Sequence, residues 1–205
     1  MASLVLLASC AEEKAVMQSN PTGTLIDDRD GQTYQTVLIG NQWWMAENLN
    51  YGIQVNPFSG GAADPIDNDI PEKYCYNNNE KLCDTYGGLY SWNEAMDYST
   101  QESARGLCPE GWHVPSVEEF QELLAIYPDC PQLRVEGVSG FNALFGGNRY
   151  YLFFDHLDDL GLFWTSSGSQ LYGDYILISK TNGPALVNSE IKSHAFSLRC
   201  VKDTE

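Results

Sequence analysis

Positive charge is scarce in this sequence. Its 205 residues hold 11 Lys+Arg against 28 Asp+Glu, a formal net charge of -17. Nucleic-acid binding needs clustered cations to displace counterions from phosphates. No such cluster is present, which excludes that class of function. The same balance opposes adsorption to anionic lipid headgroups and suits a solvated surface that meets cations or neutral ligands. Long apolar runs are lacking too, and no stretch approaches the ~20 residues that span a bilayer as a helix. Histidine is rare, at 3 residues, and no Cys-x-x-Cys pair accompanies it, which removes the common zinc patterns. No Gly-x-Ser-x-Gly elbow, phosphate loop or His-Glu-x-x-His motif occurs, and no internal repeat.

What is present fits one domain with a short lead. Hydrophobic residues make up 43%, enough for an ordinary core, and 18 Gly with 12 Tyr and 5 Trp point to β-rich structure with many loops. The lead ends in Leu7-Ala8-Ser9-Cys10, which resembles a bacterial lipobox cleaved before the cysteine. On that reading 1–9 is a leader remnant, Cys10 is lipidated, 10–25 is a polar tether and 26–205 is the domain. Membrane contact would then run only through the anchor at Cys10. Met1-Ala2-Ser3 carries no Lys or Arg, which such a leader normally has, so a trimmed start that keeps a lipobox-like scar is the alternative.

Setting Cys10 aside, five cysteines remain: Cys75, Cys83, Cys108, Cys130 and Cys200. An exported compartment permits disulfides, and an odd count leaves one thiol over. Cys75 and Cys83 flank a polar, turn-forming stretch and are natural partners. Cys108 with Cys200 would tie the start of the main helix to the last strand. In the chain-entropy model the long loop contributes roughly 4–5 kcal/mol and the short one roughly 2–3 kcal/mol. Cys130 is then free and reads as a small buried apolar residue.

Local signals place the elements. Asp27-Asp28-Arg29-Asp30-Gly31 is turn-like, and 32–39 with 42–46 around Gly40-Asn41 reads as a β-hairpin. Trp43 and Trp44 are adjacent, so on a strand they face opposite ways. The stretch 90–96 reads as a short helix capped by Ser91. Pro115-Ser116-Val117-Glu118-Glu119 opens a second helix with a capping box, its stripe is Val117, Phe120, Leu124 and Tyr127, and Pro128 stops it. From 134 onward short strands and turns are expected, with 195–201 as one final strand. Asp64, Asp67 and Asp69 lie close together. Calcium takes several hard oxygens, but their spacing matches no EF-hand, so a solvated acidic loop is favoured and no cofactor is expected.

Several stretches carry a family resemblance. Asp30-Gly31-Gln32-Thr33-Tyr34, Trp43-Trp44-Met45-Ala46-Glu47-Asn48-Leu49 and Tyr86-Gly87-Gly88-Leu89-Tyr90-Ser91-Trp92 come first. Cys108-Pro109-Glu110-Gly111-Trp112-His113-Val114-Pro115-Ser116 and Ser197-Leu198-Arg199-Cys200-Val201-Lys202-Asp203 follow. In this order, from about residue 25 to the end, they resemble the Fibrobacter succinogenes major paralogous domain. That family occurs in exported and surface proteins, often lipoproteins. It looks distantly like the C-type lectin fold. The resemblance implies an α+β, C-type-lectin-like architecture: two short helices, small mostly antiparallel sheets and long loops. Glu-Pro-Asn, Gln-Pro-Asp and Trp-Asn-Asp, which carry calcium-dependent sugar binding in such lectins, do not occur here, so that activity is not implied.

A lectin-like layout places Asn148, Arg149, Tyr150, Tyr151, Trp164, Tyr172 and Tyr175 around a ligand surface, where aromatic faces stack on sugars and amides or Arg bond hydroxyls. The competing reading is that these aromatics fill a small β core. His113 reads as structural. His156, beside Asp155, Asp158 and Asp159, allows an Asp–His pair, though solvated loop residues are more frequent. The expectation is an exported, lipid-anchored, non-catalytic recognition module at the outer membrane or cell surface, for a glycan, cell-wall polymer or protein. A structural subunit of a surface assembly is the second class, and a hydrolase the third.

Overall fold

The computed structural model describes residues 19–56, 65–181 and 183–204. Cys10 and Asp64 lie outside them. β1 (Thr22–Ile26) pairs antiparallel with β2 (Thr33–Ile39), and β2 with β3 (Gln42–Met45) across the expected hairpin. Between β1 and β2 the buried Asp27 carboxylate closes the turn by accepting from the Arg29 amide and guanidinium. The polar makeup of 10–25 predicts a tether, yet the sheet takes in 22–25. Exposed Thr22 and Thr24 alternate there with half-buried Gly23 and Leu25, so polar side chains mask a period-two strand.

β4 (Ile53–Gln54) and β5 (Glu72–Lys73) form a small parallel pair. Then come α1 (Glu80–Tyr86), β6 (Leu89–Ser91), α2 (Trp92–Ala95) and β7 (Trp112–His113). α3 (Val117–Ile126) and α4 (Cys130–Leu133) follow. Ser91 caps α2 by accepting from the Glu94 amide. The capping box of α3 is present: Ser116 Oγ accepts from the Glu119 amide at 3.2 Å, and the Ser116 amide donates to Glu119 Oε2 at 2.8 Å. Phe120 and Leu123 are the buried residues of that helix.

The last third supplies β8 (Asn148–Tyr150), β9 (Phe153–Asp155), β10 (Leu160–Gly168) and β11 (Tyr172–Ser179). β12 (Leu186–Ile191), β13 (Ala195–Ser197) and β14 (Val201–Lys202) complete it. One sheet has the order β1-β2-β3-β14-β7. The larger runs β12-β11-β10-β13-β8-β9, with β6 also on β13. The pairings are antiparallel except β4 with β5 and β10 with β13.

The architecture is thus α+β and mostly strand, with four short α-helices among the described residues rather than two. α1 and α4 are too short to show a helical period. Asn79 caps one and Pro131 sits in the first turn of the other. The expected single strand over 195–201 divides instead. β13 belongs to the larger sheet and β14 to the smaller, so the segment between them stitches the two together.

β10 lies between two cores. Leu162 and Trp164 join one cluster with Trp92, Tyr175 and Phe196, while Phe163 joins the other with Trp44, Phe120 and Phe141. A strand buried on both faces reads as continuous apolar sequence rather than alternation. Trp44 is buried against Phe120 at 4.8 Å, whereas its neighbour Trp43 is half-buried. Both expected disulfides are formed, Cys75–Cys83 and Cys108–Cys200, and Cys130 is free and buried.

Candidate functional site

The seven residues expected around a ligand surface divide. Trp164 is fully buried: its Nε1 donates to the Tyr90 carbonyl at 2.8 Å and its ring packs on Phe196 at 4.3 Å. It is core, and a ligand does not reach it in this structure. Asn148 and Arg149 are buried as well, the guanidinium lying 4.0 Å from the Tyr74 ring centre. Tyr172 is 46% exposed. It stands three residues from Tyr175 on a regularly paired stretch of β11, so the two face opposite ways.

Tyr150, Tyr151 and Tyr175 come together on one side of the larger sheet. Ala195 pairs with Arg149, which sets His194 opposite Tyr150 and Phe196 opposite Asn148. The rings of Tyr150 and Tyr151 meet His194 edge-on, with centroids at 4.4 and 5.2 Å. Tyr175 packs on Phe196 at 4.7 Å and leaves 8% of its surface exposed. Phe153 pairs with Tyr150 across the β8–β9 hairpin and is 76% exposed; Tyr151, at the tip, is 65% exposed. Gly147 sets the hairpin in place. It adopts φ +65°, and a Cβ there would come 2.3 Å from the Asp155 carbonyl oxygen.

Polar groups border these rings. Glu190 Oε1 lies 3.3 Å from His194 Nδ1, an ion-pair distance, while neither ring nitrogen of His194 makes a hydrogen bond. Both side-chain polar atoms of Asn148 are buried without a partner too. Burial, together with the Arg149 charge, lowers the His194 pKa below the ordinary histidine value against the opposing pull of Glu190. Burial and the neighbours Tyr175, Glu190 and Asp155 push the Tyr150 hydroxyl up to about 12. Burial and Glu190 also raise Tyr175, against a hydrogen bond with Asn188. Glu190 and Asn188 reach the site only because β12 lies beside β11, a strand order that no local sequence signal carries.

Two further places hold polar groups. A groove of about 520 Å³ runs past Tyr86, Arg134, Phe145, Asp158 and Lys180, and the Tyr86 hydroxyl donates to Asp158 Oδ1 at 2.5 Å. His113 bridges Glu119 (Nε2, 2.9 Å) and Asp203 (Nδ1, 2.6 Å), tying β7 to α3 and to the end of β14, as expected for a structural histidine. His156 lies 3.8 and 3.9 Å from Asp155 and Asp159 and is 40% exposed, which suits a solvated loop. Among the described residues no group of three or more His, Cys, Asp or Glu is arranged to hold a metal ion, and no helix is long and apolar enough to cross a membrane.

Fold and site define a disulfide-tied α+β domain of mostly antiparallel sheet that presents an aromatic hairpin tip. Residues 37–134 match the family model described as the Fibrobacter succinogenes major domain, and the chain carries that domain. The match runs from within β2 to just past α4, so the aromatic face on β8–β13 lies beyond it. No curated protein and no solved structure matches the chain.

Proposed function

We propose that the chain is a C-type-lectin-like recognition module, exported and lipid-anchored through Cys10 at the outer membrane or cell surface, and that it binds a glycan without catalysis or a cofactor. The observation that carries the reading is the exposure of Tyr151 and Phe153 at a hairpin tip beside half-buried Tyr150 and the Glu190 carboxylate. A contiguous patch of exposed apolar side chains is a recurrent sign of a binding surface. Flat rings with a few convergent polar groups suit the apolar faces and hydroxyls of a sugar. The lectin-like layout draws support from the Ser116–Glu119 cap and from the Cys108–Cys200 tie between the loop before β7 and the closing segment. A glycan array probed with the domain and with a Tyr151→Ala, Phe153→Ala variant tests it. Hits that the variant loses support the reading, and an array without hits overturns it.

One observation favours the second reading, a structural subunit. β12 ends its sheet, and Leu186, Val187 and Ile191 on it are exposed. A strand edge with unpaired backbone groups can add a strand from another chain.

A further inference from the structure

Charge and unpaired polar atoms at the aromatic site narrow the ligand. The Glu190 carboxylate stands near Tyr150 and Tyr175, its Oε1 accepts from the Ile191 amide at 2.8 Å, and among the described residues no lysine or arginine pairs with it. The nearest base is His194, which is 6% exposed and held neutral by burial and by Arg149, so it does not cancel the Glu190 charge. A neutral imidazole keeps one nitrogen as an acceptor, and an amide keeps its carbonyl. The acceptors of His194 and Asn148 are both buried on this face and both unused, and the Asn148 amide donor beside them, also unused, suits a hydroxyl of the same guest. Buried polar atoms in native proteins nearly always have a partner, which here must come from outside the chain. Aromatic faces carry partial negative charge and attract cations. Carboxylate, free acceptors and ring faces all favour the same guest, a compact cation with several N–H donors.

Resting on the glycan reading above, we infer that this site selects an unacetylated amino sugar, with its ammonium group held by Glu190 between the rings of Tyr150 and Tyr151. An N-acetyl group carries no charge for Glu190 to meet, and an acidic sugar would be repelled by it.

The test is calorimetric titration of the full chain with three hexasaccharides: glucosamine, N-acetylglucosamine and glucose. A lysine-rich peptide forms a fourth arm. Glu190→Gln removes the charge at nearly constant shape. Glu118→Gln, on the exposed side of α3, removes one charge away from the site and controls for general attraction to an acidic protein. The expected result is binding of the glucosamine oligomer about tenfold tighter than the other two sugars, with the preference lost in Glu190→Gln and kept in Glu118→Gln. Equal binding of all three sugars would overturn the ammonium inference and leave the glycan reading standing. Equal loss in both variants would reduce the effect to bulk charge and overturn it as well. Binding of the peptide alone, dependent on Glu190, would overturn the sugar as the source, and no binding in any arm would overturn both readings.

Discussion

Arg199 Nε donates to Asn48 Oδ1 at 2.8 Å, and both side chains are buried. Arg199 also donates to the carbonyls of Phe141 and Asn142, and its guanidinium lies 4.4 Å from the Phe141 ring centre. Asn48 Nδ2 donates in turn to the Tyr86 carbonyl at 2.7 Å and to Ser197 Oγ at 3.1 Å. One amide therefore links the end of β3, the end of α1 and β13. Burial lowers the Arg199 pKa, with Glu47 opposing, so the charge depends on these acceptors. Asn48→Ala removes one of them and strands the Tyr86 carbonyl. The expected loss is about 2–4 kcal/mol of unfolding free energy, read from urea titration. An unchanged midpoint would mean that water replaces the amide.

The two disulfides should differ in worth. Cys108 and Cys200 are 92 residues apart, Cys75 and Cys83 only 8. Constraint of the unfolded chain grows with the loop closed, so Cys108→Ser with Cys200→Ser should cost about 4–5 kcal/mol and the short-loop pair about 2–3 kcal/mol. Urea midpoints of the two double variants check the order. A larger loss from the short loop would place the effect in the native state, where Cys83 sits in α1.

The hairpin of β2 and β3, the α3 cap and both disulfides were legible because each depends on residues close in sequence or on a distinctive pair. The site was legible only in part. Tyr150, Tyr151 and Tyr175 lie on one side of the larger sheet, but nothing local separates Tyr175, which keeps an edge in solvent, from Trp164, whose indole is spent on the Tyr90 carbonyl. That difference is set by β13, which brings Phe196 against both rings. Glu190 was hidden for a similar reason, because strand order and not spacing delivers it. The split of 195–201 between two sheets was equally hidden, since every residue from Ala195 to Val201 is buried and no alternation marks the crossing.

Stability should depend on pH through His113. Burial disfavours its charge, but hydrogen bonds to Glu119 and Asp203 outweigh burial and raise its pKa above the ordinary histidine value. A raised folded-state pKa gives stability that is fully present below the unfolded value and is lost as pH rises through the folded value. Glu119 behaves in the opposite sense. Burial raises it, yet His113 and Ser116 bring it below the usual carboxylate range, so its contribution holds above that range and is lost on acidification. The node is therefore strongest between the two. Unfolding free energy measured across that interval and above it should fall on the alkaline side in the parent chain. His113→Gln should flatten that limb. An equally steep limb in the variant would assign the titration to another group.

Trp164 and Tyr151 should separate fold from binding. Trp164 is buried between Tyr175 and Phe196 and bonded to Tyr90, so Trp164→Ala opens a large cavity and strands a carbonyl. The expected cost is about 3–5 kcal/mol, with ligand binding lost only as the fold is lost. Tyr151 is 65% exposed, and its ring lies nearly perpendicular to the His194 ring at 5.2 Å. Tyr151→Phe and Tyr151→Ala should both leave the urea midpoint within about 0.5 kcal/mol of the parent. A stacking role predicts that Phe retains ligand affinity and Ala loses it, because the ring face is kept in one and removed in the other. A hydroxyl-bonding role predicts that both lose it. If Ala binds as the parent does while remaining folded, Tyr151 is only the tip of a hairpin, and the ligand surface must be sought in the groove beside Tyr86 and Asp158.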